Sequence, residues 1–188
     1  MGQISTSEFR AGVKFEMDKQ PYAIVTNEFV KPGKGQAFNR VRIRNLLNGR
    51  VIEKNIRSGD KFDEADVLET TKRMLYRDGE DVVFMDDNTY EQISVSAGAL
   101  GSTDKWLKED LLYDIVFYKG NAITVEPPTF LELKITETAP GVRGDTASGR
   151  VMKQAIVETG AEIQVPIFIE EDEIVKVDTR TGDYVSRA

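Results

Sequence analysis

Polar and apolar residues alternate with a period of two along much of the chain, which is the pattern of strands that bury one face. The clearest case lies at residues 38–44, where valine and isoleucine alternate with three arginines, Arg40, Arg42 and Arg44. Glycine, proline, asparagine and aspartate separate this run from others like it, as expected at turns. The pattern therefore predicts an all-β chain.

The first 64 residues contain several such strands. Their strongest turn signal is Asn48-Gly49, which predicts a hairpin between residues 40–47 and 51–57. A short helical turn is predicted at residues 5–10, and a strand follows from Val13. Four or five short strands within about 60 residues predict a small, strongly bent barrel.

A second segment, residues 65–128, is predicted to form another small barrel. Its predicted strands are residues 68–76, 82–85, 90–95, 113–118 and 122–125. Residues 102–112 have apolar residues at helical spacing, with Ser102 or Thr103 as the N-cap, and Trp106 is expected in the core. Five strands with one helix in this order are typical of an OB fold.

A third domain is predicted from residue 129 to residue 188, because Pro127 and Pro128 interrupt any strand. Its predicted strands are residues 130–135, 162–169, 174–177 and 184–187, the last two joined by a turn at residues 180–183. Pro166 cannot donate a backbone hydrogen bond and is therefore expected on an edge strand or at a bulge.

Composition narrows the class of protein. The chain has 188 residues, of which 40% are hydrophobic and 30% charged, as expected of a globular protein. No signal segment or apolar run of roughly 20 residues is present, so we expect a cytoplasmic protein without membrane association. Cysteine and histidine are absent, which excludes disulfides, thiolate ligands and the commonest general base. No catalytic residue and no metal site is predicted.

The net charge of −7 is distributed unevenly. Residues 1–64 contain 12 Lys and Arg against 8 Asp and Glu, whereas residues 65–128 contain 6 against 13 and residues 129–188 contain 7 against 11. Within residues 31–57 there are 8 basic residues and one acid, Glu53. Such a cationic patch is typical of a phosphate-contacting surface, and it predicts that the three arginines bind RNA. A charged outer sheet face would give the same alternation.

The patch begins with a turn at residues 31–37, which joins the predicted strands 22–30 and 38–44 in a hairpin. Pro32 and Gly33 suit the second and third positions of a type II turn, in which Gly33 takes the positive φ. Lys34 would then project from the tip between Gly33 and Gly35. A loop with no bulky neighbours of this lysine could enter a narrow space with one cationic side chain in front. An ordinary solvated turn has the same residue types. The spacing excludes a Walker loop and a dinucleotide fingerprint.

Two further segments are candidate sites. Residues 140–150 contain three glycines and two arginines, and their backbone amides could approach bases or phosphates, although a flexible connector has the same composition. Asp86 and Asp87 suggest a carboxylate pair or a metal loop. They lack the calcium-loop pattern and lie where a turn between strands is due, so a turn is expected.

Several motifs resemble the bacterial elongation factor P family from end to end. In chain order they are Lys31-Pro32-Gly33-Lys34-Gly35-Gln36-Ala37, Phe84-Met85-Asp86 with Tyr90-Glu91-Gln92, Arg143-Gly144-Asp145-Thr146, Glu158-Thr159-Gly160-Ala161 before Val165-Pro166, and residues 177–187. Asp172 departs from the family, in which many members have glycine. Because aspartate tolerates left-handed geometry better than most residues, only a local change is expected there.

The resemblance implies an SH3-like barrel followed by two OB-fold barrels in an L-shaped, tRNA-like arrangement. It further implies a translation elongation factor, not an enzyme, that binds the ribosome between the P and E sites and relieves stalling at consecutive prolines. The implied partners are the ribosome and its ribosomal RNA, peptidyl-tRNA, and messenger RNA in the exit site. The protein is expected to act as a monomer.

The resemblance also implies roles for particular residues. Lys34 would lie beside the CCA end of peptidyl-tRNA and carry a lysine-derived modification, with or without a hydroxyl, added by an enzyme similar to lysyl-tRNA synthetase. No cofactor is implied. The other residues are the tip residues Lys31, Pro32, Gly33 and Gly35, the exit-site codon loop of Gly144, Asp145 and Thr146, and the ribosome or tRNA contacts Tyr184 and Arg187.

Two other classes of function stay open. A general RNA-binding or ribosome-assembly module would use the same cationic patch, with a steep salt dependence and no specific need for Lys34. A carboxylate hydrolase would instead depend on Asp86 and Asp87. Under the favoured hypothesis the patch holds tRNA phosphates and Lys34 steadies the CCA end, which restores alignment for the hindered proline nucleophile without proton transfer by the protein.

Overall fold

The computed structural model describes residues 2–140 and 151–188. These residues form three β-sheets with only short helical segments, so the predicted all-β fold is confirmed. Each sheet is built from a consecutive set of strands. The helical segments of this described part of the chain are too short to span a membrane.

The first sheet has six strands in the order β1-β6-β2-β3-β4-β5. Its elements are β1 (Gln3–Ser5), a 3₁₀ helix (Thr6–Glu8), β2 (Lys14–Met17), β3 (Gln20–Val30), β4 (Phe38–Asn45), β5 (Val51–Arg57) and β6 (Lys61–Glu64). The predicted helical turn and both predicted hairpins are confirmed. In the β4–β5 turn Gly49 has a φ of 73°, and its N–H donates to the carbonyl of Asn45 at 2.8 Å.

An aromatic cluster fills part of the first core. The ring centroids of Phe9 and Phe62 lie 5.1 Å from that of Phe15, whose side chain is fully buried. Burying one phenylalanine contributes about 1.5–3 kcal/mol. Val41 and Ile43 on β4 are fully buried in the same core. The strand that carries the three arginines is therefore anchored through its opposite face.

The second sheet has five strands in the order β11-β10-β7-β8-β9. They are β7 (Val67–Asp78), β8 (Asp81–Met85), β9 (Gln92–Val95), β10 (Leu112–Tyr118) and β11 (Asn121–Glu126). All five agree with predicted strands to within two residues at each end. Phe84 and Tyr113 are buried, with their ring centroids 5.8 Å apart in an edge-to-face arrangement.

The helix predicted at residues 102–112 is wrong in type and extent. A short α-helix, α1 (Ala97–Leu100), is followed by a 3₁₀ helix (Gly101–Trp106). Gly101 has a φ of 52°, which ends α1. Thr103 is not a cap, because its buried hydroxyl donates to the carbonyl of Val125 at 2.6 Å.

The chain leaves the helix after Trp106 because the following residues bond to a strand. The N–H of Asp110 donates to the carbonyl of Met74, and the N–H of Met74 donates to the carbonyl of Leu111, both at 2.9 Å. These bonds satisfy backbone groups of β7 that continued helix would have left without partners. Local helical spacing was therefore overridden by a tertiary contact.

The third sheet has five strands in the order β14-β13-β12-β15-β16. They are β12 (Phe130–Thr138), β13 (Met152–Val157), β14 (Glu162–Pro166), β15 (Ile174–Asp178) and β16 (Asp183–Arg187). Pro166 lies on the edge strand β14, as predicted. The sequence does not predict β13, whose apolar alternation is weak, since only Ala155 and Val157 are buried within it.

Trp106 is a core residue, as predicted, but it belongs to the core of the third sheet. Its side chain is 2% exposed and packs in one cluster with residues of β12 to β15. The Lys105 carbonyl next to it accepts a hydrogen bond from the Thr159 hydroxyl at 2.7 Å. The segment after α1 thus contributes to the third core although it precedes β10 in sequence.

By their contacts the described residues form two compact units. One contains the chain up to Thr70 with Ile115–Thr124, and the other contains Thr71–Asp114 with Val125–Ala188. The first unit holds the aromatic core and the second holds the core around Trp106. Domain boundaries at residues 64 and 128 stay a prediction.

Candidate nucleic-acid interface

The β3–β4 hairpin presents the residues that the sequence assigns to RNA. Its ladder runs to the pair Val30 and Phe38, and residues 31–37 form the connecting loop. Arg40, Arg42 and Arg44 are exposed on the outer face, while the residues between them are buried. The predicted half-buried strand with outward arginines is confirmed.

A hydrogen-bonded pair of amides, one of them buried, supports the tip end of this hairpin. Asn39 is 3% exposed, and its Nδ2 donates to Oδ1 of Asn27 at 2.9 Å. Nδ2 of Asn27 donates in turn to the carbonyl of Phe9, also at 2.9 Å. Sequence reasoning missed this pair, although an asparagine at the inward position of an alternating strand was a signal for it.

Lys34 is exposed at the tip together with Gly33 and Gly35. A Cβ built on Gly33 would meet no atom within 4 Å, so the loop is open around the lysine. Within residues 2–140 and 151–188, no carboxylate oxygen lies within 4.0 Å of the Lys34 amine. The lysine is therefore not folded back onto an acidic partner in its own domain.

The predicted type II turn is wrong. Gly33 does not have a positive φ, whereas Gly35 has a φ of 113°. A Cβ on Gly35 would lie 3.8 Å from Cγ of Pro32, so the chain passes close to the proline ring on its return. The loop is wider than a four-residue turn, and the conformation that favours glycine therefore follows Lys34 instead of preceding it.

The arginines of the outer face remain largely available to bind an anionic ligand. Arg40 lies 3.5 Å from Glu28, and both side chains are largely exposed, so the pair contributes little stability. Arg42 faces Glu53 across the β4–β5 ladder. In the described part of the chain, neither Arg42 nor Arg44 forms an ion pair within 4.0 Å.

Asp86 lies in a turn, as the sequence predicts, and its carboxylate holds that turn together. Its Oδ1 accepts the N–H groups of Asn88 at 2.9 Å and Thr89 at 3.1 Å, and its Oδ2 lies 3.2 Å from Nζ of Lys72. The Asn88 N–H, the Thr89 N–H and the Lys72 ammonium together hold the pKa of Asp86 below its ordinary value. This carboxylate is therefore occupied by local bonds.

Asp87 is occupied in the same way. Nε and Nη2 of Arg73 donate to its two oxygens at 2.9 and 2.6 Å, a bidentate pair. The guanidinium lowers the pKa of Asp87, and the carboxylate raises the pKa of Arg73. Among the described residues, no group of three or more acidic side chains is arranged to hold a metal ion.

Tyr184 and Arg187 lie on the terminal hairpin and differ from the tip residues. Tyr184 is partly buried against the core of the third sheet. Arg187 is half-exposed, with Nε and Nη2 both 3.1 Å from the Glu173 carboxylate and its guanidinium 5.0 Å from the ring centroid of Phe168. Gly144, Asp145 and Thr146 lie outside the described residues.

Asp172 has a φ of 68°, the left-handed conformation expected where the family has glycine. Its N–H donates to the carbonyl of Ile135 at 2.9 Å, and its carboxylate lies 2.7 Å from Nζ of Lys134. This carboxylate raises the pKa of Lys134. The substitution is accommodated locally, as predicted.

A further charged cluster joins residues far apart in sequence. Oε2 of Glu16 on β2 accepts the hydroxyl of Tyr118 at 2.8 Å and lies 2.9 Å from Nζ of Lys119. Lys119 and then Tyr118 lower the pKa of the Glu16 carboxyl. No sequence signal pairs residues 16 and 118, because only the fold brings them together.

Three family models match consecutive parts of the chain. Residues 5–62 match a model described as the Elongation factor P (EF-P) KOW-like domain, and residues 67–125 match the Elongation factor P (EF-P) OB domain. Residues 131–187 match Elongation factor P, C-terminal. The hairpin with Lys34 and the hairpin with Arg187 both lie inside matched regions.

Solved structures support the fold. One is a eukaryotic translation initiation factor 5A from Methanococcus jannaschii, with a TM-score of 0.53 at 21% identity, covering 67% of this chain and 92% of that one. Another is a translation initiation factor eif-5a family protein from Naegleria fowleri, with a TM-score of 0.51 at 13% identity, covering 66% and 97%. At these identities the likeness concerns the fold alone.

Curated relatives are much more similar in sequence. A protein named Elongation factor P 2 from Protochlamydia amoebophila is 60% identical over 187 residues, which is 100% of this chain and 98% of that protein. Proteins of the same name from Chlamydia trachomatis and Chlamydia caviae are 59% and 58% identical over the same shares. The chain therefore belongs to the elongation factor P family, which consists of translation elongation factors and not of enzymes.

Proposed function

We propose that this elongation factor binds the ribosome between the peptidyl and exit sites and stimulates peptide-bond formation at consecutive prolines. In this proposal Lys34, extended by a lysine-derived modification, positions the CCA end of peptidyl-tRNA. The observation that carries the proposal is the hairpin tip, where Lys34 is exposed and has no carboxylate partner within the described ranges.

In this proposal the outer face of the hairpin binds the phosphates of the RNA. Arg40, Arg42 and Arg44 follow one another at every second residue, which places successive side chains on the order of 7 Å apart along one strand. Their guanidinium groups can pair with phosphate oxygens in bidentate geometry. Such contacts fix the register of a protein on RNA without reading its sequence.

The tip supplies positioning and not proton transfer. Proline has a fixed φ and a hindered nitrogen, so a nascent chain ending in prolines holds the reactants away from attack geometry. Correct orientation contributes up to roughly 7–11 kcal/mol in model reactions, so a small part of that suffices to relieve a stall. The sequence has no histidine, and the carboxylates of Asp86 and Asp87 are engaged in local bonds.

The conservative variant Lys34→Arg tests the role of the tip. It keeps a positive charge at the tip but changes the shape of the side chain and removes the amine that a modifying enzyme would extend. We expect it to lose most of the stimulation of polyproline synthesis on ribosomes. Lys19→Arg is the matched control, because Lys19 is an exposed lysine at the other end of β3.

Wild-type polyproline synthesis with Lys34→Arg would overturn the proposed role of the tip. If that variant also bound RNA with unchanged salt dependence, the second candidate function, a general RNA-binding or ribosome-assembly module, would be favoured. The cationic outer face supports that candidate equally, whereas the exposed lysine at the tip favours the first.

The proposed modification has a test of its own. The intact mass of protein from its native source should exceed the mass of the bare chain, and fragmentation should place the added group on Lys34. A lysyl-tRNA-synthetase-like enzyme is the proposed modifying partner. An unmodified lysine in active protein would remove the modification from the proposal. The exit-site role of Gly144, Asp145 and Thr146 and the ribosome contacts of Tyr184 and Arg187 belong to the same proposal through the resemblance.

A further inference from the structure

Phe29 is a conspicuous residue of the hairpin that the proposed function does not use. It is the penultimate residue of β3, and its side chain is 59% exposed. Across the ladder Phe29 faces Asn39, and Asn39 faces Ile56. Both of those residues are buried, so Phe29 belongs by register to the inward row and yet projects beyond the end of the core.

The neighbouring amides keep the Phe29 ring in solvent. Asn27 lies two residues before Phe29 in the same row, and Asn39 lies opposite it. These two amides are hydrogen-bonded to each other, Asn27 also donates to the Phe9 carbonyl, and the pair occupies the tip end of the core. Sinking the ring into that space would separate these polar groups from their partners. The ring is therefore carried by a paired strand and stays in solvent beyond the end of the core.

The charge around Phe29 favours RNA as its partner. Lys31 follows two residues later, and Lys34 lies at the tip of the same loop. The adjacent acid, Glu28, points to the opposite face and lies 3.5 Å from Arg40. Proteins bind unpaired nucleotides by placing exposed aromatic rings beside cationic groups, so that a base stacks while its phosphate is neutralised. An apolar protein surface would not benefit from Lys31 and Lys34 in the same loop.

We infer that Phe29 is a stacking platform for an unpaired nucleobase of the RNA contacted by the tip. The inference rests on the proposed function, because it requires RNA at this hairpin. The Phe29 platform adds a contact with a base to the proposed contacts of the arginines with phosphates and of Lys34 with the CCA end. The platform lies on a strand and not on the loop, so it needs no ordering when RNA arrives.

The test uses the full-length protein and two fluorescently labelled RNA hairpins. One hairpin ends in four unpaired 3′ nucleotides, and the other is the same stem with a blunt end. Fluorescence anisotropy measures the affinity of wild type, Phe29→Leu and Phe29→Tyr for each RNA. Leu47→Ala is the matched control, because Leu47 is an exposed apolar residue in the turn at the other end of β4.

We expect Phe29→Leu to weaken binding of the hairpin with unpaired nucleotides by roughly 5- to 150-fold. Phe29→Tyr keeps an aromatic ring and should bind like wild type. The affinity for the blunt hairpin should not change with either variant. Because the Phe29 ring is exposed, thermal unfolding of both variants should match wild type, which separates a lost stack from a lost fold.

Three results would overturn the inference. The first is an unchanged affinity of Phe29→Leu for the RNA with unpaired nucleotides, and the second is an equal weakening for both RNAs. The third is full polyproline synthesis with any apolar side chain in place of Phe29, which would indicate a protein contact. A parallel polyproline assay separates the two proposals. Loss of activity in Lys34→Ala but not in Phe29→Leu removes the stacking platform alone. Loss of RNA binding in Phe29→Leu with full activity of Lys34→Ala removes the proposed function alone.

Discussion

The cationic β3–β4 hairpin and the acidic turn at residues 86–90 are both rich in charge, but the charges are used differently. On the hairpin, Lys34, Arg42 and Arg44 have no ion pair within the described ranges. In the turn, Asp86 and Asp87 are bound by backbone N–H groups and by two cationic side chains. The hairpin leaves these charges exposed to solvent, whereas the carboxylates of the turn are paired with groups of the protein itself.

This difference separates a binding surface from a structural turn. A charge that already has a close partner must lose it before it can bind a ligand, whereas an exposed unpaired charge gives up only water and counterions. The lowered pKa values of Asp86 and Asp87 therefore reflect structural bonds and not poised acid–base groups. Perturbed pKa values alone would have pointed to the wrong region.

The largest expected effect compares one residue from each region. Lys34→Ala should slow polyproline synthesis at least about tenfold, which corresponds to roughly 1.4 kcal/mol of activation free energy. Asp87→Ala should leave that rate unchanged, because its carboxylate is bound by Arg73. Ribosomal synthesis of a diproline-containing peptide measures both rates. Equal losses in the two variants would contradict the distinction between the regions.

A smaller effect concerns the salt dependence of RNA binding. Arg42→Ala should weaken binding and reduce the slope of log affinity against log salt concentration by about 1, because one phosphate contact is removed. Arg73→Ala should leave the slope unchanged, since its guanidinium is paired with Asp87. Affinities measured over a range of potassium chloride concentrations give both slopes. An equal fall for Arg73→Ala would show that paired charges also contact RNA.

The acidic turn is expected to control stability and its pH dependence. Because the folded pKa of Asp86 is below its ordinary value of 3.8, its charge stabilises the folded state above that pH. The contribution is lost as the pH falls through the lower, folded pKa. Asp86→Asn should therefore lower the melting temperature at neutral pH, and the difference from wild type should shrink below pH 3.8.

Thermal unfolding between pH 2.5 and pH 7, roughly the range over which carboxylates titrate, measures this difference. Arg42→Ala is the control from the other region and should unfold like wild type across the same range. A difference for Asp86→Asn that stayed constant below pH 3.8 would assign its effect to packing instead of charge.

The smallest effect is expected at Asp172. Replacing it by glycine removes the exposed pair with Lys134 but supplies a residue that adopts a φ of 68° without strain. The two changes oppose each other, so the melting temperature should shift by less than about 2 °C. Asp172→Ala is the matched control and should be less stable than Asp172→Gly. The reverse order would show that the ion pair outweighs the backbone conformation.

Much of the fold was predictable because strands that bury one face have a local signature. The alternation in β4 gave both the strand and the outward direction of Arg40, Arg42 and Arg44. The turn at Gly49 and the edge position of Pro166 were correctly predicted as well. In these cases the backbone preference of the residue agrees with the tertiary structure.

The errors occurred where a long-range contact outweighed a local preference. Residues 107–111 had helical spacing, but hydrogen bonds with Met74 on β7 keep them out of a helix. β13 had too weak an alternation to be predicted, yet two neighbouring strands impose it. At the tip the residue types were correct and the turn type was wrong, because the position of the left-handed residue depends on how the loop closes over Pro32.

The sequence by itself determined the all-β class, the family and the identity of the tip lysine, because alternation, turn residues and motifs are local properties of the chain. Only the tertiary structure decided which charges are free, which ring projects beyond the first core and which asparagines lie beneath it. The physical reason is that a partner's distance in space is not encoded by its distance in sequence. The Glu16 carboxylate, bound by Tyr118 and Lys119, is the clearest example.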